Sequence, residues 1–251
     1  MAVTKGWMSS NKISIPEEEV MSIREILAQT AADKGSVTKE DFIQALAEKD
    51  IHMDDHRLSY HIRMAEIFGH LCSGELLPMK ATYALTVDKV KVHPKMDRDE
   101  ALMLFTHKYF QSRQPATLED FVWWSGLNVS DCKRGIALLK DYLHLEKWKG
   151  REFYLTDDCR THGFRKGTYL LIPPYDEYLI SYKSRDIVLS PDYKHKAHNN
   201  SGIFQPVIAY DGVICGNWMP FKEDLQAAFF MGEHEADIHE EWKRFKSYQL
   251  K

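Results

Sequence analysis

Only four cysteines occur in 251 residues. Cys72, Cys132, Cys159 and Cys215 stand far apart and none belongs to a CxxC pair, which excludes a zinc knuckle and a dithiol redox motif and fits a reducing compartment. No apolar run approaches the length needed to cross a bilayer, and the opening MAVTKGWMSSNKISIPEEEV lacks the apolar core of a signal peptide. No GxSxG, P-loop or GxGxxG is present, so serine hydrolase, nucleoside triphosphatase and dinucleotide chemistry lack their characteristic turns. An excess of positive charge is missing too. The formal net charge is -4, so a polyanionic partner would have to be met by a local basic patch. The 44% hydrophobic and 28% charged residues are ordinary for a folded soluble chain, and the length allows one large domain or two to three small ones. These absences lead to the expectation of a cytoplasmic protein with no membrane segment.

Along the chain, Val20, Ile23, Ile26 and Leu27 recur at helical spacing, with Pro16 at the helix start, Glu17, Glu18 and Glu19 in its first turn and Gly35 at its end. VTKEDFIQALAEKD follows, with Thr38 and Asp41 spaced as a capping box. DHRLSYHIRMAEIFGHLC reads as a longer helix, and HLCSGELLPMKATYALT as two strands around a loop. The order then recurs. DEALMLFTHKYFQSR carries an apolar stripe of Leu102, Phe105 and Tyr109, and ATLEDFVWWSGL is opened by Thr117 and closed by Gly126. NVSDCKRGIALLKDYLHL has Ser130 as candidate cap, and HLEKWKGREFYLT is a hairpin turning near Lys149-Gly150. Thr38 to Phe42 matches Thr117 to Phe121, His70-Leu71 matches His144-Leu145, and Tyr83 to Thr86 matches Phe153 to Thr156. Three matches in one order predict a tandem winged helix.

Beyond Arg160 the character changes. GTYLLIPPYDEYLISYKSRDIVLS is rich in aromatic and β-branched residues, and its prolines rule out a long helix. PDYKHKAHNNSG reads as a polar loop. Asp211-Gly212 between two apolar runs is a hairpin signal, and the chain ends as a strand and then a helix. The fold class expected is α+β: tandem winged-helix (helix-turn-helix) repeats followed by a small C-terminal β-rich, barrel-like module. The boundaries are 1–16 for an N-terminal extension, 17–92 and 97–158 for the winged helices, and 159–251 for the last module.

In FVWW, Phe121 and Trp124 are spaced i and i+3 and are expected to bury against the next helix. That helix, from Ser130 to Tyr142, and its wing would carry function, because a helix-turn-helix lays its second helix in the major groove. Lys133, Arg134 and Lys140 lie on the helix, and Lys147, Lys149 and Arg151 on the wing. From Cys132 to Lys166, nine Lys and Arg outnumber five Asp and Glu, an excess that suits duplex DNA as well as an ordinary solvated face.

Other constellations carry less. His234 and His239 are spaced i and i+5, which turns the second imidazole off the helical face that a zinc site of this kind needs, so no metal is expected. His195 and His198 sit in the polar loop and are expected to be solvated. Asp176 and Glu177, adjacent on an expected strand, point to opposite faces and make a poor acid/base pair. One of them could be buried beside Arg185 as an ion pair, or face DNA to activate a water; they are the weak catalytic candidates.

YFQSRQPATLEDFVWWSGL, LLIPPYDEYLISYKSRDIVL, GIFQPVIAYDGVICGNW and HLCSGELLPMKATYALT resemble successive segments of the crosslink-repair DNA glycosylase family, the AlkZ and YcaQ group of winged-helix DNA-binding proteins. The resemblance runs from about Glu17 to Trp218. It implies tandem winged helices followed by a β-barrel, and an activity that removes alkylated or crosslinked bases by hydrolysing the N-glycosidic bond. Tyr175, Asp176, Glu177, Arg185 and Trp218 match its recurring positions, whereas Met219-Pro220-Phe221-Lys222 keeps one cation of its usual basic pair. The family places catalysis on a Gln-x-Gln or Gln-x-Asp motif in its first winged helix. Here Met1 to Pro16 hold no glutamine, Gln29 has no partner two residues on, and Gln111 and Gln114 are three apart. The expectation is a protein without that first winged helix, binding double-stranded DNA, alkylated or crosslinked, with no cofactor. The alternatives are an active glycosylase and a protein-interaction scaffold, the latter suited by Glu233, Glu235, Asp237, Glu240 and Glu241.

Overall fold

Pro16 opens the first helix, α1 (Glu17–Lys34), with three glutamates in its first turn, and Gly35 ends it at φ 76°. The structure, a computed structural model, describes residues 15–91, 95–160, 162–222, 224–231 and 238–249. The chain forms two units, Met1–Lys95 and Met96–Lys251. Among the described residues no helix is long and apolar enough to cross a membrane.

In the first unit α1 is followed by β1 (Val37–Thr38), α2 (Lys39–Ala47), α3 (Asp55–Ile67), β2 (Leu71–Ser73), β3 (Thr82–Leu85) and the single turn α4 (Thr86–Lys89). The Thr38/Asp41 capping box forms as expected, and Asp54 caps α3 through the Arg57 N–H. The three strands make an antiparallel sheet in the order β1-β3-β2. Ile23 and Leu27 of α1 meet Phe42, Leu46, Leu58 and Ile62 in one apolar core. Behind it His61, 1% exposed, lies 3.1 Å from the Glu19 carboxylate, which also holds Arg57.

The second unit begins with α5 (Arg98–Arg113), α6 (Leu118–Ser125), α7 (Val129–Leu138) and the hairpin β4 (His144–Trp148) and β5 (Arg151–Leu155). Two cap details differ from expectation. Asn128, not Ser130, caps α7, because its side chain reaches the Asp131 N–H at 2.8 Å while Ser130 donates its hydroxyl to Asn128. The helix also ends at Leu138 rather than running to Tyr142. Ala116 bridges Tyr154 much as Val37 pairs with Tyr83, so the bridging positions are offset by one residue from the sequence match. Tyr109, Phe110, Phe121, Cys132 and Leu139 form the core, with Trp124 packed against it. Trp124 also stacks on Phe105 at 5.4 Å.

After Arg160 come β6 (Tyr169–Ile172), α8 (Glu177–Ile180), a 3-10 turn (Pro191–Tyr193), α9 (Lys194–Ala197), β7 (Val207–Tyr210), β8 (Val213–Phe221), β9 (Asp224–Phe229) and α10 (His239–Gln249). The four strands form one antiparallel sheet, β6-β7-β8-β9. Both hairpin turns foreseen from sequence use two residues at positive φ, Lys149-Gly150 (47° and 75°) and Asp211-Gly212 (46° and 83°), the backbone that matches strand twist. The strand period of two sorts the sheet. Val207 and Ala209 face the cluster of Leu179, Leu189 and Ala197, while Ile208 and Trp218 pack with Trp242 of α10. The segment 191–197, expected as a polar loop, is helical instead. It places His195 in solvent but buries His198.

Candidate nucleic-acid interface

The start of α6 is built by the Thr117/Asp120 capping box. Asp120, 2% exposed, accepts the Thr117 N–H and hydroxyl on one oxygen, at 3.0 and 2.8 Å. Its other oxygen accepts the backbone N–H of Lys183 at 2.9 Å and of Ser184 at 3.4 Å. One carboxylate thus completes a helix cap and pins the 183–186 loop beside it. Arg185 continues this loop. It donates Nε to the Leu179 carbonyl at 2.5 Å, and its guanidinium lies 6.0 Å from the Trp123 ring and 5.1 Å from the Phe204 ring. Burial lowers its pKa, with the nearby Asp120 charge opposing.

Loop, helix start and the β4–β5 hairpin enclose an open cleft of about 1060 Å³. Its cations are Lys147, Arg151, Lys183, Arg185 and Lys194, with His198 beside them. Lys147 pairs with Glu152 at 3.2 Å and Arg151 with Asp186 at 3.0 Å. Among the described residues no carboxylate forms an ion pair with Lys183, Arg185 or Lys194. His198 stacks on Phe204 at 5.1 Å. Burial pushes its pKa down, and the charges of Arg185 and Lys194 push it further. Lys183 and Arg185 stand on a loop that Asp120 holds in place, so they can meet phosphates of an extended anion, although Glu119, Asp120, Glu152 and Asp186 line the same cleft.

Of the residues expected to meet DNA, the cleft gathers Lys147 and Arg151, together with Arg185. Lys133, Arg134 and Lys140 lie on or just beyond α7, outside it. Arg134 is held by Asp99, Nε to carboxylate 2.7 Å. Lys133 and Lys140 are exposed. Lys149, at the tip of the β4–β5 hairpin, lies over the Trp148 ring at 4.4 Å.

The remaining family-pattern positions are elsewhere. Tyr175 is exposed at φ 60°, its ring 6.1 Å from Phe204. Trp218 is buried, donating its indole N–H to the Ile172 carbonyl at 3.0 Å and packing edge-on to Trp242. Asp176 and Glu177 do not alternate on a strand. Asp176 caps α8 through the Tyr178 N–H at 2.8 Å, and Glu177 begins that helical turn. The ion pair expected with Arg185 forms with Arg113 instead, Glu177 to guanidinium 2.9 Å. Burial raises the Glu177 pKa, but the Ser181 hydroxyl and Arg113 outweigh it, so the net shift is downward.

The sequence reading missed Asp120, Lys183, Lys194 and His198. YKSRD and KHKAH advertised their cations, but nothing local says that both segments return to the start of α6. His234 and the acidic residues Glu233, Glu235 and Asp237 lie outside the described residues. Among the described residues no group of three His, Cys, Asp or Glu could hold a metal ion.

A family model described as DNA glycosylase AlkZ-like matches residues 4–245. An interstrand DNA cross-link repair glycosylase of Streptomyces sahachiroi is 27% identical over 171 residues, 62% of this chain and 45% of that protein. The solved structure of Streptomyces sahachiroi DNA glycosylase AlkZ matches with a TM-score of 0.70 at 18% identity, over 93% of this chain and 66% of that one. This last likeness concerns the fold, a mixed α/β architecture with antiparallel sheets. The chain spans less than half the length of the curated relative.

Proposed function

Because the chain belongs to the DNA glycosylase AlkZ-like family, we propose that it is a cytoplasmic double-stranded DNA-binding protein acting in alkylation or crosslink repair. In this reading residues 17–92 and 97–158 are tandem winged helices, and 159–251 a β-rich, barrel-like module. The observation that carries it is the cleft beside α6, where Lys183, Arg185 and Lys194 stand without an ion-paired carboxylate next to Lys147 and Arg151 of the wing. Counterion release from a bound duplex would supply most of the affinity. Fluorescence anisotropy with a labelled duplex across a salt titration tests it. Lys183→Ala/Lys194→Ala should weaken binding and flatten the log-log salt slope by about 2, if each lysine meets one phosphate. The wing variant Lys147→Ala/Lys149→Ala/Arg151→Ala should act in the same direction. An unchanged slope in both variants would refute the cleft as the interface.

Family membership favours a second reading, in which the protein hydrolyses the N-glycosidic bond of an alkylated or crosslinked base. Glu177 and Asp176 are its candidate carboxylates. The downward pKa shift of Glu177 suits an ionised group that stabilises developing positive charge on the sugar, not a proton donor. Abasic sites accumulating on alkylated duplex, and lost in Glu177→Gln, would establish this reading; their absence with wild-type protein would remove it.

A further inference from the structure

Trp123 is the one member of FVWW that faces out. It is 55% exposed while Phe121, two residues earlier, is fully buried. Its indole N–H is already used, donated to the Ile180 carbonyl at 3.2 Å, so the ring is held in place and what it offers a ligand is apolar surface. A shallow groove of about 450 Å³ surrounds it, lined by Leu118, Val122, Leu127, Val129 and Lys183. Leu118, Glu119 and Lys183 line both this groove and the basic cleft.

We propose that the Trp123 groove is a stacking subsite for one unpaired nucleobase of a DNA strand whose backbone lies in the adjoining cleft. The inference rests on the DNA-binding reading above and goes beyond it by giving the base a place of its own. Charge and continuity select the occupant. A strand whose phosphate meets Lys183 has an aromatic, apolar floor on the other side of that lysine, which is the combination used to hold unstacked bases. Glu119, at the shared edge, can accept a hydrogen bond from an exocyclic amine of cytosine or adenine. The indole stacks on any base, so the subsite reads whether a base is out of the helix more than which base it is. Damaged or mismatched bases leave the stack at least cost, and the groove would favour DNA that holds one.

Anisotropy with three labelled DNAs tests this: a perfect duplex, the same duplex with a one-nucleotide bulge, and that bulge with its base removed. Wild-type protein should bind the base-containing bulge most tightly. Trp123→Ala should lose about tenfold or more on that DNA alone, with perfect-duplex affinity and salt slope unchanged, and Trp123→Phe should keep most of the preference. Equal binding of the two bulges, or an equal loss by Trp123→Ala on all three DNAs, would overturn the stacking subsite while leaving salt-dependent duplex binding in place. No binding to any of the three would instead bring down the DNA-binding reading itself, and the subsite with it.

Discussion

The carboxylate of Asp120 accepts the backbone N–H of Lys183 at 2.9 Å, across 63 positions of chain. This bond joins the start of α6 to the loop that carries two of the cleft's cations. Asp120→Ala removes the Asp120 half of the capping box and the loop anchor, and leaves the N–H groups of Thr117, Lys183 and Ser184 without this acceptor. We expect a loss of about 3 kcal/mol of stability, measured as a lower denaturant midpoint, with weaker DNA binding at temperatures where the variant is still folded. A midpoint within experimental error of wild type would show that the anchor is dispensable.

Arg134 and Lys133 are neighbours on α7 with different surroundings. Arg134 is engaged by Asp99, whereas Lys133 is exposed without an ion pair among the described residues. A cation that must leave a carboxylate before meeting a phosphate gains little on binding. Arg134→Ala should therefore change duplex affinity less than about twofold. Lys133→Ala should cost more if α7 touches DNA at all. A larger effect of Arg134 would mean that it leaves Asp99 when DNA arrives.

Gly135 lies where α7 crosses α5. A Cβ placed there would stand 2.1 Å from the Thr106 hydroxyl and 3.2 Å from its Cβ. Alanine normally favours a helix interior over glycine by about 1 kcal/mol, so the sign of Gly135→Ala is informative. Here the crowding against a stiff β-branched neighbour should win, destabilising by about 1–3 kcal/mol. The Thr106 hydroxyl is buried without a hydrogen-bond partner in the structure. Thr106→Ala should accordingly relieve the Gly135→Ala defect in a double variant. No relief would place the strain elsewhere.

Acid should weaken the fold before its carboxylates titrate. Burial lowers the His61 pKa from its ordinary 6.5, with Glu19 partly opposing, and its Nδ1 is buried without a partner. His198 is shifted in the same direction. The unfolded chain thus binds protons that the folded one resists, so stability falls as pH drops below about 6.5, by at most about 1.4 kcal/mol per pH unit for each histidine. The Glu19 pKa is lowered, chiefly by its hydrogen bond to Arg57. Its contribution stays intact above 4.5 and is lost only as pH falls through the lower folded value. Unfolding midpoints between pH 7.5 and 5 should decline, and His61→Gln should flatten the decline. A flat wild-type profile would contradict the buried, neutral imidazole.

Sequence alone determined the local frame. Thr38 with Asp41 marks one helix start because a capping box is satisfied within three residues, and Thr117 marks another. Lys149-Gly150 and Asp211-Gly212 mark two hairpins because their backbones tolerate positive φ. Phe121 and Trp124 were legible as core from spacing. Tertiary structure alone decided the charges. Whether a cation is free depends on partners such as Asp99 for Arg134 and Asp186 for Arg151, each 35 positions away. Glu177 meets Arg113 across 64. Pairings at that separation leave no periodic mark on the chain, since they arise only when packed elements bring two side chains within a few ångströms. The cleft, and the outward face of Trp123 beside it, are products of that packing.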